Sequence, residues 1–87
     1  MIKYFLYSQN ECEYCEDLKK LLDENNITYT IKDVFQNRIE WEKVRKSQDI
    51  KFTPTLVVVN KDTRDVKFLA VDRDFETPED LIKLIKK

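Results

Sequence analysis

A β-forming run, an amphipathic helix and a second β-forming run, joined by short polar links, fix most of what this chain can become. Ile2 to Tyr7 is rich in β-formers and nearly continuous in apolar character, as in a central strand covered on both faces. From Glu13 the apolar positions are Tyr14/Cys15, Leu18, Leu21 and Leu22, a helical spacing of three and four. Asn25-Asn26 ends that helix, since asparagine tolerates the left-handed cap better than most side chains. Residues Ile27 to Val34 are β-branched and alternating. Strand, helix and strand with short links make a βαβ unit, with parallel strands and a right-handed crossover.

The rest of the chain continues the alternation. A second helix opens near Asn37, with Ile39, Trp41, Val44 and Ile50 expected to face inward and mixed charges outside. Phe52-Thr53-Pro54-Thr55 leads into the strand Leu56-Val57-Val58-Val59, a polar turn follows, and Val66 to Val71 completes a hairpin as an edge strand. Asp72 to Glu76 reads as a charged loop. Thr77-Pro78-Glu79-Asp80 is a helix start, with Thr as N-cap, Pro at the first helical position and acids in the first turn. Leu81, Ile82, Leu84 and Ile85 form its buried stripe, and Lys83, Lys86 and Lys87 suit its C-terminal end. The expected class is α/β, in the order β-α-β-α-β-β-α, as one domain over residues 1–87.

The only two cysteines, Cys12 and Cys15, sit at the first strand-to-helix junction, three positions apart. A pair at that spacing and place reads as a thiol–disulfide exchange site. Two bland readings stand beside it: thiols that merely fill a core, and half of a zinc or iron–sulfur site shared between chains. The chain has no histidine, which removes Cys–His nucleophilic pairs and Cys/His zinc sites. Free N–H groups at a helix start stabilise a thiolate, which points to Cys12 as the attacking sulfur and Cys15, one turn on, as the resolving one. Glu11, Glu13, Glu16 and Asp17 crowd Cys12. Carboxylates disfavour a neighbouring thiolate, so the expected couple lies toward the reducing end of the range.

Cys12-Glu13-Tyr14-Cys15, together with Thr53-Pro54 just before a strand, resembles the glutaredoxin family of the thioredoxin-fold superfamily, along essentially the whole chain. The resemblance implies a thioredoxin fold, a four-stranded mixed sheet flanked by helices. It implies a cis proline at Pro54 packed beside the cysteine pair. Taken alone, a proline there would ordinarily be trans. It also implies Thr53 offering backbone groups to a substrate. Tyr14, between the cysteines, reads either as a shape-recognition residue beside the nucleophile or as a helix residue half-covering the sulfurs. The implied activity is a dithiol–disulfide oxidoreductase with Cys12 and Cys15 as catalytic residues. Its clients would be protein disulfides, among which a ribonucleotide-reductase-type client is suggested. No bound cofactor is required; electrons come from glutathione or a thioredoxin reductase. Two departures bear on glutathione. The lysine usual three residues before the first cysteine is Gln9 here, and the usual Gly-Gly pair is replaced by Ala70-Val71-Asp72-Arg73-Asp74. Asp72 or Asp74 is left to meet the tripeptide's amine and Arg73 its carboxylate. The rival functional class is a non-catalytic adaptor switched by the redox state of the pair.

Composition narrows the partners. Net charge is −1 and no Lys/Arg block dominates any segment, which argues against nucleic acid. No run approaches the ~18 apolar residues of a membrane span, and the residues after Met1 are too short an apolar run for a signal peptide. A monomer in the cytoplasm is expected, where a structural disulfide would not persist. There is no glycine, so every turn is expected to use Asn, Asp, Pro, Ser or Lys.

Overall fold

The computed structural model describes residues 1–86; Lys87, expected at the end of the last helix, lies outside the described residues. The elements run β1 (Ile2–Ser8), α1 (Glu13–Glu24), β2 (Thr30–Asp33), α2 (Arg38–Gln48), β3 (Thr55–Asn60), β4 (Asp65–Ala70) and α3 (Pro78–Ile85). The four strands form one mixed sheet in the order β2-β1-β3-β4. β1 pairs with β2 in parallel and with β3 antiparallel, and β3 and β4 form the hairpin. The expected order and sheet are both present.

Alternation along the strands builds two cores. Leu6 on β1 stands opposite Leu56 on β3, and both are fully buried with Leu18 and Leu22 of α1, Leu81 and Ile82 of α3, and Phe75. The intervening residues Tyr7 and Val57 point to the other face, where they meet Trp41 of α2, Ile50, Val34 and Ala70. Helices α1 and α3 therefore cover one face and α2 the other. Each fully buried leucine contributes about 1.5–3 kcal/mol.

Caps follow the local sequence. Asp80 N–H donates to the Thr77 hydroxyl and Thr77 N–H donates to the Asp80 carboxylate, a reciprocal box at the start of α3. At the end of α1, Asn26 takes the left-handed conformation (φ 57°), letting its N–H reach the Asp23 carbonyl and that of Ile27 reach the Leu22 carbonyl.

Five expectations need correction. Leu84, expected in the buried stripe of α3, is exposed, because Leu81, Ile82 and Ile85 centre the packed face and Leu84 lies about 110° around the helix from it. The second strand begins at Thr30, not Ile27, because the Ile27 N–H is tied back to α1 and the next residues only carry the chain to the sheet. Ile39 faces solvent, 77% exposed. The stacking of Trp41 on Tyr7 sets the rotation of α2, and a residue two positions earlier lies about 200° away. The edge strand runs 65–70 rather than 66–71, and Val71 instead bridges Phe75. The charged loop hides a core residue. Asp72 N–H donates to the Phe75 carbonyl, folding the loop back so that the Phe75 ring is buried.

Strand directions gather four connections at one edge of the sheet. Tyr7 near the end of β1 pairs with Thr55 at the start of β3, and Thr55 pairs with Ala70 at the end of β4. The segments around 9–12, 34–37, 49–54 and 71–76 thus lie at the same end, which is the end that carries the cysteines.

Candidate functional site

Cys12 is the N-cap of α1, with extended backbone (φ −104°, ψ 104°). It is half-buried, and its Sγ accepts a hydrogen bond from the Cys15 N–H at 3.2 Å. That donor is one of the N–H groups a helix start leaves without an intrahelical partner. Cys15, in the first turn, is completely enclosed. The two sulfurs are joined as a disulfide across a Cα–Cα distance of 5.2 Å, within the range a bridge needs.

The other wall comes from the segment before β3. The Thr53–Pro54 peptide is cis and Pro54 is fully buried. The Thr53 hydroxyl lies 3.8 Å from Cys12 Sγ and the Thr53 carbonyl oxygen 3.9 Å from it. Residues 41 positions apart in sequence therefore meet at one sulfur. Two open cavities flank Phe52, which is 54% exposed. One, of about 300 Å³, is lined by Gln9, Trp41, Arg45, Lys51, Phe52 and Thr53. The other, of about 160 Å³, is lined by Asp49, Lys51, Phe52, Val71, Asp72 and Arg73.

The sequence profile of the glutaredoxin family matches residues 4–63, a span that holds both cysteines and Thr53-Pro54. The chain belongs to the glutaredoxin family. Among solved structures, this glutaredoxin is similar to the thioredoxin-like protein BC3987 and to a point mutant of that protein. Each is 26% identical with a TM-score of 0.63; BC3987 is matched over 97% of both chains, and the mutant over 97% of this chain and 96% of that one. A malarial protein at 22% identity and a TM-score of 0.58 shares the fold, over 99% of this chain and 94% of that one. A comparison with curated proteins finds no match.

The remaining expected site residues of this glutaredoxin divide by position. Tyr14 stands between the cysteines, 42% exposed. Asp72, left-handed (φ 64°), is exposed at the mouth of the smaller cavity, and its carboxylate carries no hydrogen bond or ion pair among the described residues. Arg73 is spent inside the protein. Its guanidinium bonds the Gln48 and Phe68 carbonyls and the Asp74 carboxylate, and that carboxylate also accepts the Ala70 N–H at 2.8 Å. The pair fastens the 71–76 loop to the end of α2. Lys51 and Phe52, which line both cavities, were not singled out by sequence. Their signal was only their place, one and two residues before Thr53. Trp41, expected in the core, is buried there and also walls the larger cavity.

Beneath the site, Tyr7 Oη donates to Glu40 at 2.7 Å and Lys32 Nζ donates to the same carboxylate at 2.6 Å. The Lys32 ammonium also lies over the Phe5 and Tyr7 rings. Burial, then the hydrogen bond to Glu40, push the Tyr7 hydroxyl well above the usual tyrosine range. Glu40 is held below the usual carboxylate range, first by the Lys32 hydrogen bond and then by that of Tyr7. Among the described residues no group of three or more metal-ligating side chains comes together, and no helix is long and apolar enough to cross a membrane.

Proposed function

We propose that this chain is a dithiol–disulfide oxidoreductase that reduces protein disulfides, with Cys12 as attacking and Cys15 as resolving residue. The supporting observation is the asymmetry of the pair. Cys12 Sγ sits at a helix start, accepts an N–H and is reachable beside Thr53, whereas Cys15 is completely enclosed. Only the Cys12 sulfur can meet an incoming disulfide.

The Cys12 thiolate attacks one client sulfur, and the other leaves as a thiolate that takes up a proton. Cys15 then loses its proton and attacks Cys12 Sγ, releasing the second client thiol and forming the Cys12–Cys15 bond. Two electrons and two protons pass to the client. Thr53, beside the buried cis Pro54, presents its backbone groups to the client, and Tyr14 shapes the approach. A ribonucleotide-reductase-type protein is the proposed client, and a reducing compartment such as the cytoplasm the proposed setting.

Electrons return from glutathione or from a thioredoxin reductase. For glutathione, Asp72 would take the amine. Lys51 would take a carboxylate in place of Arg73, whose guanidinium is already bonded. A turnover assay run with glutathione plus its reductase, and again with thioredoxin reductase, separates the two donors. Cys12→Ser should abolish turnover in both. Cys15→Ser should leave only activity that passes through a glutathione mixed disulfide. Turnover that survives Cys12→Ser in either assay would refute the assignment.

A further inference from the structure

The surface that an incoming disulfide meets is charged in opposite senses on its two sides. Glu11 and Glu13 flank Cys12 on the α1 side; both are exposed, and neither has an ion pair or side-chain hydrogen bond among the described residues. On the other side lies Lys51, two residues before the Thr53 that touches Cys12 Sγ. It too is exposed and has no such partner among the described residues. No carboxylate lines the cavity it shares with Gln9 and Thr53, whereas Asp49 and Asp72, exposed and likewise unpaired, line the cavity on the other side of Phe52, so the positive side is the Gln9–Thr53 cavity alone. Arg45, the neighbouring cation, is instead held by Glu42 and the Ile50 carbonyl. Between Lys51 and Thr53 in the chain stands the half-exposed ring of Phe52, and Tyr14 is similarly uncovered on the α1 side. Exposed charges of opposite sign, next to Cys12 in the chain on one side and next to the Thr53 segment on the other, act on a docked segment over the ~8 Å screening length of physiological salt. A uniformly acidic segment is repelled at Glu11 and Glu13, and a uniformly basic one at Lys51.

We infer that this surface selects protein clients whose reacting cysteine lies in a dipolar segment. Such a segment carries a basic residue where it meets Glu11 and Glu13, an acidic residue where it meets Lys51, and an apolar side chain that covers Phe52. The inference rests on the disulfide reduction proposed above and names the chemistry of its client. Complementary charges of this kind act mainly on encounter rate and register, so the selection is expected in the bimolecular rate and in its salt dependence.

The test is a single-turnover measurement with pre-reduced protein, which needs no other reductant because Cys12 and Cys15 supply both electrons. The substrates are bis(2-hydroxyethyl) disulfide and five disulfide-linked peptides. Their flanks are neutral, uniformly acidic, uniformly basic, or dipolar in either order; released thiols are separated by chromatography. One dipolar order should be reduced at least threefold faster than either uniform peptide at low salt, the gap closing to within twofold at high salt. Lys51→Glu should make the uniformly basic peptide the best substrate. The double variant Glu11→Lys/Glu13→Lys should make the uniformly acidic one best, so the two changes move the ranking in opposite directions. A merely destabilised variant would slow all five alike. Rates within twofold across the peptides, or a ranking unmoved by either variant, would overturn the inference while leaving disulfide reduction intact. Failure to reduce bis(2-hydroxyethyl) disulfide would overturn the underlying reading as well.

Discussion

Glu11, Asn26, Asp49, Arg64 and Asp72 hold left-handed backbone with a side chain attached. Each such residue costs roughly 1–2 kcal/mol relative to the right-handed form, less for Asn and Asp. The lack of glycine announced that side-chain-bearing residues would have to turn the chain, and Asn26, Asp49 and Asp72 are of the expected kind. Glu11 and Arg64 are not. They occupy positions fixed by what lies on either side, the approach to the α1 cap and the close of the β3–β4 hairpin, and nothing in their own chemistry marks them. Arg64→Gly is therefore expected to stabilise the protein by about 0.5–1 kcal/mol, the relieved strain exceeding the added freedom of the unfolded chain. For a chain of this length that is roughly a 3–6 °C rise in Tm, read by thermal unfolding. An unchanged or lowered Tm would show that Arg64 contributes more through its side chain than it costs through its backbone.

At the scale of elements, the Tyr7–Glu40–Lys32 group ties β1, α2 and β2 together. Its members are far apart in sequence and look like one strand residue and two surface charges, so no periodicity points to it. The expected inward stripe of α2 is present except at Ile39, with Val44 packed against the core. Trp41 and Ile50 are buried as expected, but the stacking of Trp41 on Tyr7 fixes the rotation that leaves Ile39 outside. The raised Tyr7 sets a sign for pH dependence. Its neutral form is favoured by folding, so its contribution is fully present below the unfolded tyrosine value of about 10 and is lost as pH rises above it. Tyr7→Phe should cost about 1 kcal/mol at neutral pH through the lost hydrogen bond. It should also fall less steeply in stability than the parent between about pH 9 and 11, either side of the free tyrosine value, as measured by denaturant unfolding. Parallel curves would remove Tyr7 from the alkaline loss.

For the whole molecule, the order of elements and the mixed sheet were legible in the sequence, because each rests on local signals. These are alternation, a cap and a spacing of three; the meeting of the cysteine pair with Thr53-Pro54 and the cis proline came from the family resemblance alone. Phe75 was not legible, since a lone aromatic among charges has no pattern until the loop folds back on β4. Nor was the internal use of Arg73, which depends on carbonyls at Gln48 and Phe68 brought together only by the fold. The same long-range assembly sets the single tryptophan of the chain into a wall it shares with Thr53, the residue in contact with Cys12 Sγ. This gives the protein an intrinsic optical readout of its own state. A disulfide is an efficient quencher of nearby indole emission, so opening the Cys12–Cys15 bond should brighten Trp41 without any added dye. A steady-state emission spectrum taken before and after reduction checks this, with Cys12→Ser as the control that cannot form the bond. Equal emission from the two forms would mean that the indole is electronically isolated from the sulfurs.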